Sequence, residues 1–185
     1  MPLQHISDRL LSAMNRRIDG DGIRKLIDRL RTAIPGLTLR TTFITGLPGE
    51  TGEEFSELCE FVRESGFERM GVFSYAPEPG TRAAAMNGQI PAEIADARAE
   101  KLMALQRKIM LRAQRKKIGS AMRVIVDRIE NGVAHGRGAG DAPDIDNEVL
   151  FAAPRSLCAG EFVEVKIVKT AGGDLVAEKM RKRGK

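Results

Sequence analysis

Apolar positions recur along this chain in two rhythms, and the rhythm changes once. Up to about residue 117 they return every third or fourth position, in stretches separated by two short β-branched runs. From Ala121 onward they return at every second position. The first rhythm predicts amphipathic helices and the second half-buried strands. The centre of the first part is residues 37–51, LTLRTTFITGLPGET. Thr41, Thr42, Ile44 and Thr45 beside Phe43 suit a strand, and Gly46, Pro48 and Gly49 force a turn. Thr51 and Glu54 make T-x-x-E, a capping box. The helix it opens carries Phe55, Leu58, Cys59 and Val62 on one face and stops at Gly66. A second strand follows over residues 69–74. Strand, helix and strand at this spacing predict a βαβ unit with parallel strands. Ligands of such sheets sit at the carboxyl ends of the strands, which here are residues 46–50 and 74–81.

The flanks follow the same logic. Residues 3–6, LQHI, read as the tail of a strand, and Ser7 caps a helix with Leu10, Leu11 and Met14 inward. A second helix from Asp21 is expected to bury Ile23, Leu26, Ile27 and Leu30, ending at Pro35 and Gly36. Residues 75–90 form a loop rich in Pro, Gly and Ala, long enough to be functional or mobile. Pro91 opens a long helix with Ile94, Leu102, Leu105, Ile109 and Met110 facing the first domain, and Gly119 ends it. Five segments, MRVIVDRIE, VAHGRG, EVLFAA, EFVEVKIVKT and DLVAEKM, then predict a small closed barrel, OB-like in size. The expected architecture is α/β over residues 1–115, the last of these a basic linker helix, followed by a five-stranded β-barrel over residues 116–185.

Charge changes this picture more than overall composition does. The formal net charge of +5 is unevenly distributed. Residues 98–117 hold eight basic side chains against Glu100, residues 118–178 hold six basic and ten acidic, and the last seven, KMRKRGK, hold five basic. A basic helix is commonly a solvated face, with nucleic-acid binding as the alternative. No apolar run of eighteen residues and no signal-peptide pattern is present, so the expectation is a cytoplasmic protein without membrane contact. The two cysteines, Cys59 and Cys158, fit a reducing compartment. Both are expected to be packing residues, Cys158 in an apolar turn.

The candidate chemistry is sparse. GLPGE lacks the Lys and Ser/Thr of a P-loop; it is either a plain turn or a glycine turn that lets the backbone approach a nucleoside. Gln4 and Ser7 lie beside a strand end, able to bond a sugar or amino-acid moiety, or to serve as a surface amide and a cap. Glu50 either bonds a ligand or favours the helix N-terminus through its dipole. His5 and His135 are expected to be isolated, with no carboxylate or cysteine partner. No Ser-His-Asp set, zinc spacing or cysteine cluster occurs, so the residues by themselves supply a pocket and a barrel but no reaction.

PLQHISDRLLSAMNRR, LRTTFITGLPGET, RMGVFSYAPEPGTRAA and the following Q-x-P helix resemble, in order, the radical S-adenosylmethionine methylthiotransferase family. QHISD, LRTTFI, RMGVFSY and GDAPDIDNEVLF are similar to its RimO-type branch, which methylthiolates an aspartate of a small-subunit ribosomal protein, S-twelve. The competing branch modifies an adenosine of tRNA, and a non-catalytic TRAM-type RNA-binding protein is a third reading. The resemblance implies the second half of an open (βα) barrel followed by a TRAM domain that binds the substrate. An acidic barrel suits a basic ribosomal protein better than RNA, while the basic tail suits a contact with ribosomal RNA. By position, the resemblance places Gln4 and Ser7 at the ribose and methionyl part of S-adenosylmethionine. It places residues 46–50 (Gly46, Pro48, Gly49, Glu50) and residues 73–75 (Phe73, Tyr75) on its adenine side. The family's two 4Fe–4S clusters need cysteines in a CxxxCxxC and a further domain that this sequence does not contain. The expectation is therefore the carboxyl-terminal part of such an enzyme, inactive alone, with a bare sheet edge beside residues 3–6 that invites self-association.

Overall fold

The computed structural model of the protein describes residues 1–180. It divides into two compact units, Met1–Ile109 and Met110–Lys185. The division falls inside the long basic helix, six residues before the expected boundary between residues 115 and 116.

In the first unit the capping chemistry sets the helix starts. Ser7 Oγ accepts the Leu10 N–H at 3.4 Å and opens α1, Asp8–Ala13. Asp19 accepts the Gly22 N–H at 2.8 Å and opens α2, Gly20–Ala33. Ile23 and Ile27 of α2 are buried, but Leu26 and Leu30 are only half-buried, a narrower apolar stripe than their spacing suggests. β1, Arg40–Thr45, runs parallel to β2, Arg69–Ser74, with Phe43 opposite Val72 and Thr45 opposite Ser74. Between them α3, Gly52–Ser65, begins with the full reciprocal capping box of Thr51 and Glu54 and ends at Gly66 in the left-handed conformation. The strand–helix–strand unit is thus parallel, as its length requires. The expected strand over residues 3–6 is reduced to one parallel bridge. Gln4 donates its N–H to Thr42 O and accepts from Ile44 N–H, each at 2.9 Å.

One face of this small sheet is the core. Phe43, Phe61 and Phe67 meet edge to face with ring centroids 5.7–6.2 Å apart, each pair adding about 0.5–1.5 kcal/mol beyond area burial. Leu3, Ile6, Leu11, Ile23, Ile27, Leu58, Val62 and Leu102 complete the cluster, with Met70 and Val72 against it. Thr42, Ile44, Gly71 and Phe73 alternate to the other face, where Phe73 is 64% exposed. α4, Ala92–Lys116, supplies Leu102, Leu105 and Ile109 to the core. Ile94, expected on the same stripe, is exposed: it sits in the first turn of α4, where Ala95 takes the inward position.

The second unit is a closed barrel. β3 (Ala121–Glu130), β4 (Val133–Arg137), β5 (Val149–Ala152), β6 (Phe162–Ala171) and β7 (Asp174–Lys179) pair in the order β3-β4-β5-β7-β6, and β6 returns to β3. Val163, Val165 and Ile167 of β6 are buried at every second position. They meet Val124, Val126, Ala134, Val149, Phe151, Leu175 and Ala177 in a hydrocarbon interior. Closure removes the edges that open sheets must protect. Gly136 has no space for a side chain: a Cβ there would overlap Ile125 O and Val124 Cγ1. Cys158 is exposed rather than packed, because the turn that carries it turns Leu157 inward instead. The basic tail from Lys179 is expected to touch ribosomal RNA; its residues 181–185 lie outside the described residues.

Candidate functional site

The site expected from the sequence is the carboxyl end of β1 and β2, and its backbone turn is held from several sides. Thr45 Oγ1 donates to Ala95 O at 3.0 Å, and Tyr75 N–H donates to Thr45 O at 2.8 Å. Gly46 has φ +74°, and a Cβ at this position would overlap the Ala95 Cβ. The close approach of α4 by itself requires the glycine here; Gly46, Leu47 and Pro48 are all buried. Gly49, half-buried at φ +76°, donates its N–H to Gly88 O at 2.7 Å, which fastens the loop over residues 75–90 to the turn. The loop itself is braced by Gln89, whose Nε2 donates to the Ala83 and Met86 carbonyls at 2.9 Å.

Glu50 is the hub of this arrangement. Its side chain is fully buried and accepts the Gly46 N–H at 2.7 Å, the Leu47 N–H at 3.3 Å and Arg98 Nη1 at 2.7 Å. Burial pushes its carboxyl up, and Arg98 with the two backbone donors pulls it back. His5, fully buried, lies across from it with Nε2 3.9 Å from Glu50 Oε2. His5 Nδ1 accepts the Ser7 N–H at 3.0 Å, so the neutral ring carries its proton on Nε2. Burial drives this imidazole down to about 4, against the attraction of Glu54. The Glu50 carboxylate thus faces the histidine without accepting a hydrogen bond, since His5 Nε2 is buried with no hydrogen-bond partner. The ring is a neutral wedge between the cap of α1 and the turn. Glu50 acts within the chain, fixing the turn, rather than offering a free oxygen.

Beside it, Ser7 Oγ donates to Glu54 Oε1 at 2.7 Å, and Arg9 Nη2 reaches Glu54 Oε2 at 2.6 Å and Gly49 O at 2.8 Å. Burial raises the Glu54 carboxyl, but the bonds from Arg9, Thr51 and Ser7 outweigh it and hold it at about 2. These side chains border a cavity of about 460 Å³ together with Asp8, Asp21 and Glu57. Ser7 is thus committed to the cap and to Glu54. Gln4, at φ +72°, and Tyr75 are different: Gln4 Oε1 and the Tyr75 hydroxyl are buried without a hydrogen-bond partner. Phe73 lies open on the sheet face that the core does not use.

The structure therefore separates the eight predicted side chains into two roles. Ser7, Gly46, Pro48 and Glu50 build the turn and its cap. Gln4, Phe73 and Tyr75, with the half-buried Gly49 backbone, keep unused surface or polar capacity. Arg9 and Arg98 were missed by sequence reasoning. Each acts across 40 residues or more, and no local spacing signals such a pair. Among the described residues no group of three or more His, Cys, Asp or Glu is placed to hold a metal ion. His135 on the barrel also has partners, Glu148 at 2.7 Å and Arg128 at 3.0 Å. Antiparallel pairing of β3, β4 and β5 brings residues 128, 135 and the neighbourhood of 148 side by side, which linear spacing hides. No helix is long and apolar enough to cross a membrane among the described residues.

Residues 118–180 match the TRAM domain family. Over 96% of its length the chain is 49% identical to the ribosomal protein uS12 methylthiotransferase RimO of Opitutus terrae, and 44% identical to that of Desulforamulus reducens. Over 97% it is 43% identical to the RimO of Bacteroides thetaiotaomicron. It spans 36%, 41% and 42% of those three proteins. Apo Mycoplasma genitalium RNase R aligns with TM-score 0.30 and 13% identity over 48% of this chain and 18% of that one, a likeness too slight to bear on fold or function.

Proposed function

We propose that this chain, a RimO-type methylthiotransferase sequence ending in a TRAM barrel, is the carboxyl-terminal part of an enzyme that methylthiolates an aspartate of ribosomal protein uS12. The supporting observation is the 41–49% identity to RimO proteins through 96% of the chain, both units included. S-adenosylmethionine, when bound, would supply the methyl group and the radical. In this reading Gln4 Oε1, the Tyr75 hydroxyl and the open face of Phe73 meet it, because the first two are buried without hydrogen-bond partners and Phe73 is exposed. Ser7, Gly46, Pro48 and Glu50 serve it indirectly by fixing the turn, and Gly49 offers backbone.

The iron–sulfur clusters are another matter. Cys59 is buried with its thiol pushed up by burial, and Cys158 is exposed on the other unit. These two do not fit a thiolate cluster site, so the residues of this chain perform no step at a cluster. Their part is to bind, orient and dock. The barrel, acidic by four charges over residues 118–178, docks the basic protein substrate in the cytoplasm.

A salt-titrated comparison tests this. The chain is expected to capture purified uS12 in preference to tRNA, and to show no methylthiolation after iron–sulfur reconstitution. Tight tRNA binding by the barrel without uS12 capture would favour the tRNA branch or a non-catalytic RNA-binding protein, and turnover by the chain alone would overturn its inactivity. Light scattering tests the bare edge beside residues 3–6: concentration-dependent self-association is expected, and a monomer throughout would remove it.

A further inference from the structure

Helix α4 carries a charge pattern that neither its packing nor the proposed activity uses. Lys101, Lys108, Arg112 and Arg115 are all exposed. At 100° per residue they fall within about 60° of arc, and at 1.5 Å per residue they run along about 21 Å of the helix. On the other helices four of the six cations meet carboxylates: Lys25 with Asp21, Arg24 with Glu64, Arg31 with Glu68 and Arg9 with Glu54. Only Arg29 and Arg63, on different helices, do not among the described residues. On α4 that remedy is absent by composition, since Glu100 is the one acid among residues 98–117. Of the basic side chains there, Arg98 is spent on Glu50 and Lys101 rests over the Phe55 ring. Among the described residues, Lys108, Arg112 and Arg115 form no salt bridge.

Such a row is not neutral for the helix. Lys108 with Arg112 and Arg112 with Lys116 are like charges four apart, each pair costing a few tenths of a kcal/mol. The helix dipole rewards cations in the last turn, which accounts for Arg115 and Lys116. It does not reach Lys108. A membrane surface is a poor partner, because interfacial helices insert an apolar face, and here Leu102, Leu105 and Ile109 are already packed in the core.

We propose that this stripe of α4 binds the phosphate backbone of RNA, through Lys101, Lys108, Arg112 and Arg115, independently of the strand-tip site. Phosphates at successive nucleotides would neutralise the row and lift its self-repulsion. Guanidinium groups at two of the four positions add bidentate phosphate contacts. No base-reading group accompanies them, so the contact follows backbone rather than sequence.

The test uses the full chain and fluorescence anisotropy with a labelled single-stranded RNA of mixed sequence and with a labelled RNA hairpin, over a series of salt concentrations. Replacing Lys108, Arg112 and Arg115 together by Gln should weaken binding by about tenfold or more at low salt and flatten the log–log salt slope by about 2, at roughly 0.7–0.9 per charge removed. The control replaces Arg16, Arg17 and Arg29, exposed cations elsewhere on the first unit, and should leave both quantities unchanged. A second variant ending at Met180 removes the basic tail and should retain most of the slope. Circular dichroism confirms that α4 is intact in each. The proposal falls if wild-type binding is insensitive to salt, if the α4 and control variants weaken equally, or if truncation at Met180 abolishes the binding. It falls also if polyglutamate or anionic vesicles compete as well as RNA.

Discussion

The two units of this molecule solve the problem of polar groups near a core in opposite ways. The barrel keeps its interior hydrocarbon and sends charge outward, so that Arg128, Glu130, His135 and Glu148 form a network on the strand surface. The first unit instead draws a carboxylate, a guanidinium and an imidazole inward, at the one place where β1 turns into α3. Burying an ion pair is a weak source of stability, because desolvation consumes most of the attraction. Its use here is positional. Three segments far apart in sequence converge on the Glu50 carboxylate, and an apolar residue could not bind the two backbone N–H groups of the turn. A barrel that only has to close needs alternation; a turn that has to hold one shape needs directed bonds.

The largest test of that contrast is to orphan the carboxylate. Arg98→Ala leaves Glu50 buried with two backbone donors and no counterion, which should cost about 3–5 kcal/mol. In urea the transition of the first unit should move to lower denaturant while that of the barrel stays in place. A matched shift of both transitions, or none, would mean that the buried pair does not set the local stability.

Next comes acid. His5 is neutral in the fold and its affinity for protons is depressed to about 4, below the ordinary imidazole value of 6.5. A depressed value means that the unfolded chain binds the proton more readily, so stability is full above about pH 6.5 and is lost as pH falls toward 4. The loss could reach about 3 kcal/mol, at 1.36 kcal/mol for each pH unit of separation. Glu50 works the other way: its carboxyl is raised by burial, so its cost fades as it takes up a proton in acid. Protonated His5 must also give up the Ser7 N–H, so amide exchange at Ser7 should quicken first. His5→Asn should flatten the pH 6.5 to 4 limb; a limb unchanged in that variant would assign it elsewhere.

Much of this architecture was legible in the sequence, and the parts that were not share a cause. The capping box of Thr51 and Glu54, the parallel pairing of β1 and β2, and the five-strand barrel all follow from periodicity and local chemistry, which act within a few residues. What the residues hid were contacts at long separation. The packing reason for Gly46 stays hidden until Ala95, about fifty residues on, is seen against it. His5 and His135 look solitary because their partners, Glu50 and Glu148, arrive through strand pairing and chain return. Cys158 reads as packed because its apolar neighbours are adjacent in sequence, yet only Leu157 of that turn reaches the interior.

Gly46 and Gly136 then make a matched pair across the two units, since neither has room for a Cβ. Gly46→Ala meets chiefly a side-chain methyl, Ala95 Cβ, with Ala95 Cα behind it at 2.9 Å, at a positive φ. Overpacking costs about 1–3 kcal/mol, and the left-handed conformation adds about 1. Ala95→Gly should return most of the overpacking part, the contact with Ala95 Cα at 2.9 Å persisting, and leave the conformational part. Gly136→Ala meets Ile125 O, a backbone atom of the neighbouring strand, so no single side-chain change should rescue it. Rescue of both, or of neither, would erase the distinction between a helix held by side chains and a barrel held by its ladder.

The smallest effects fall within the barrel and ask whether its surface charges matter as much as its interior. Ile167→Val removes one methylene from a fully buried position of β6 and should cost about 0.5–1.5 kcal/mol. Arg128→Gln removes a solvent-facing partner of Glu148, where high dielectric and side-chain entropy leave such pairs with little net value. Its thermal midpoint should match the wild type within measurement. If the order were reversed, with Arg128→Gln the more damaging of the two, the barrel would depend on its outer ion network after all. The difference between the units would then lie only in where each places its charges, since directed polar bonds would be holding both.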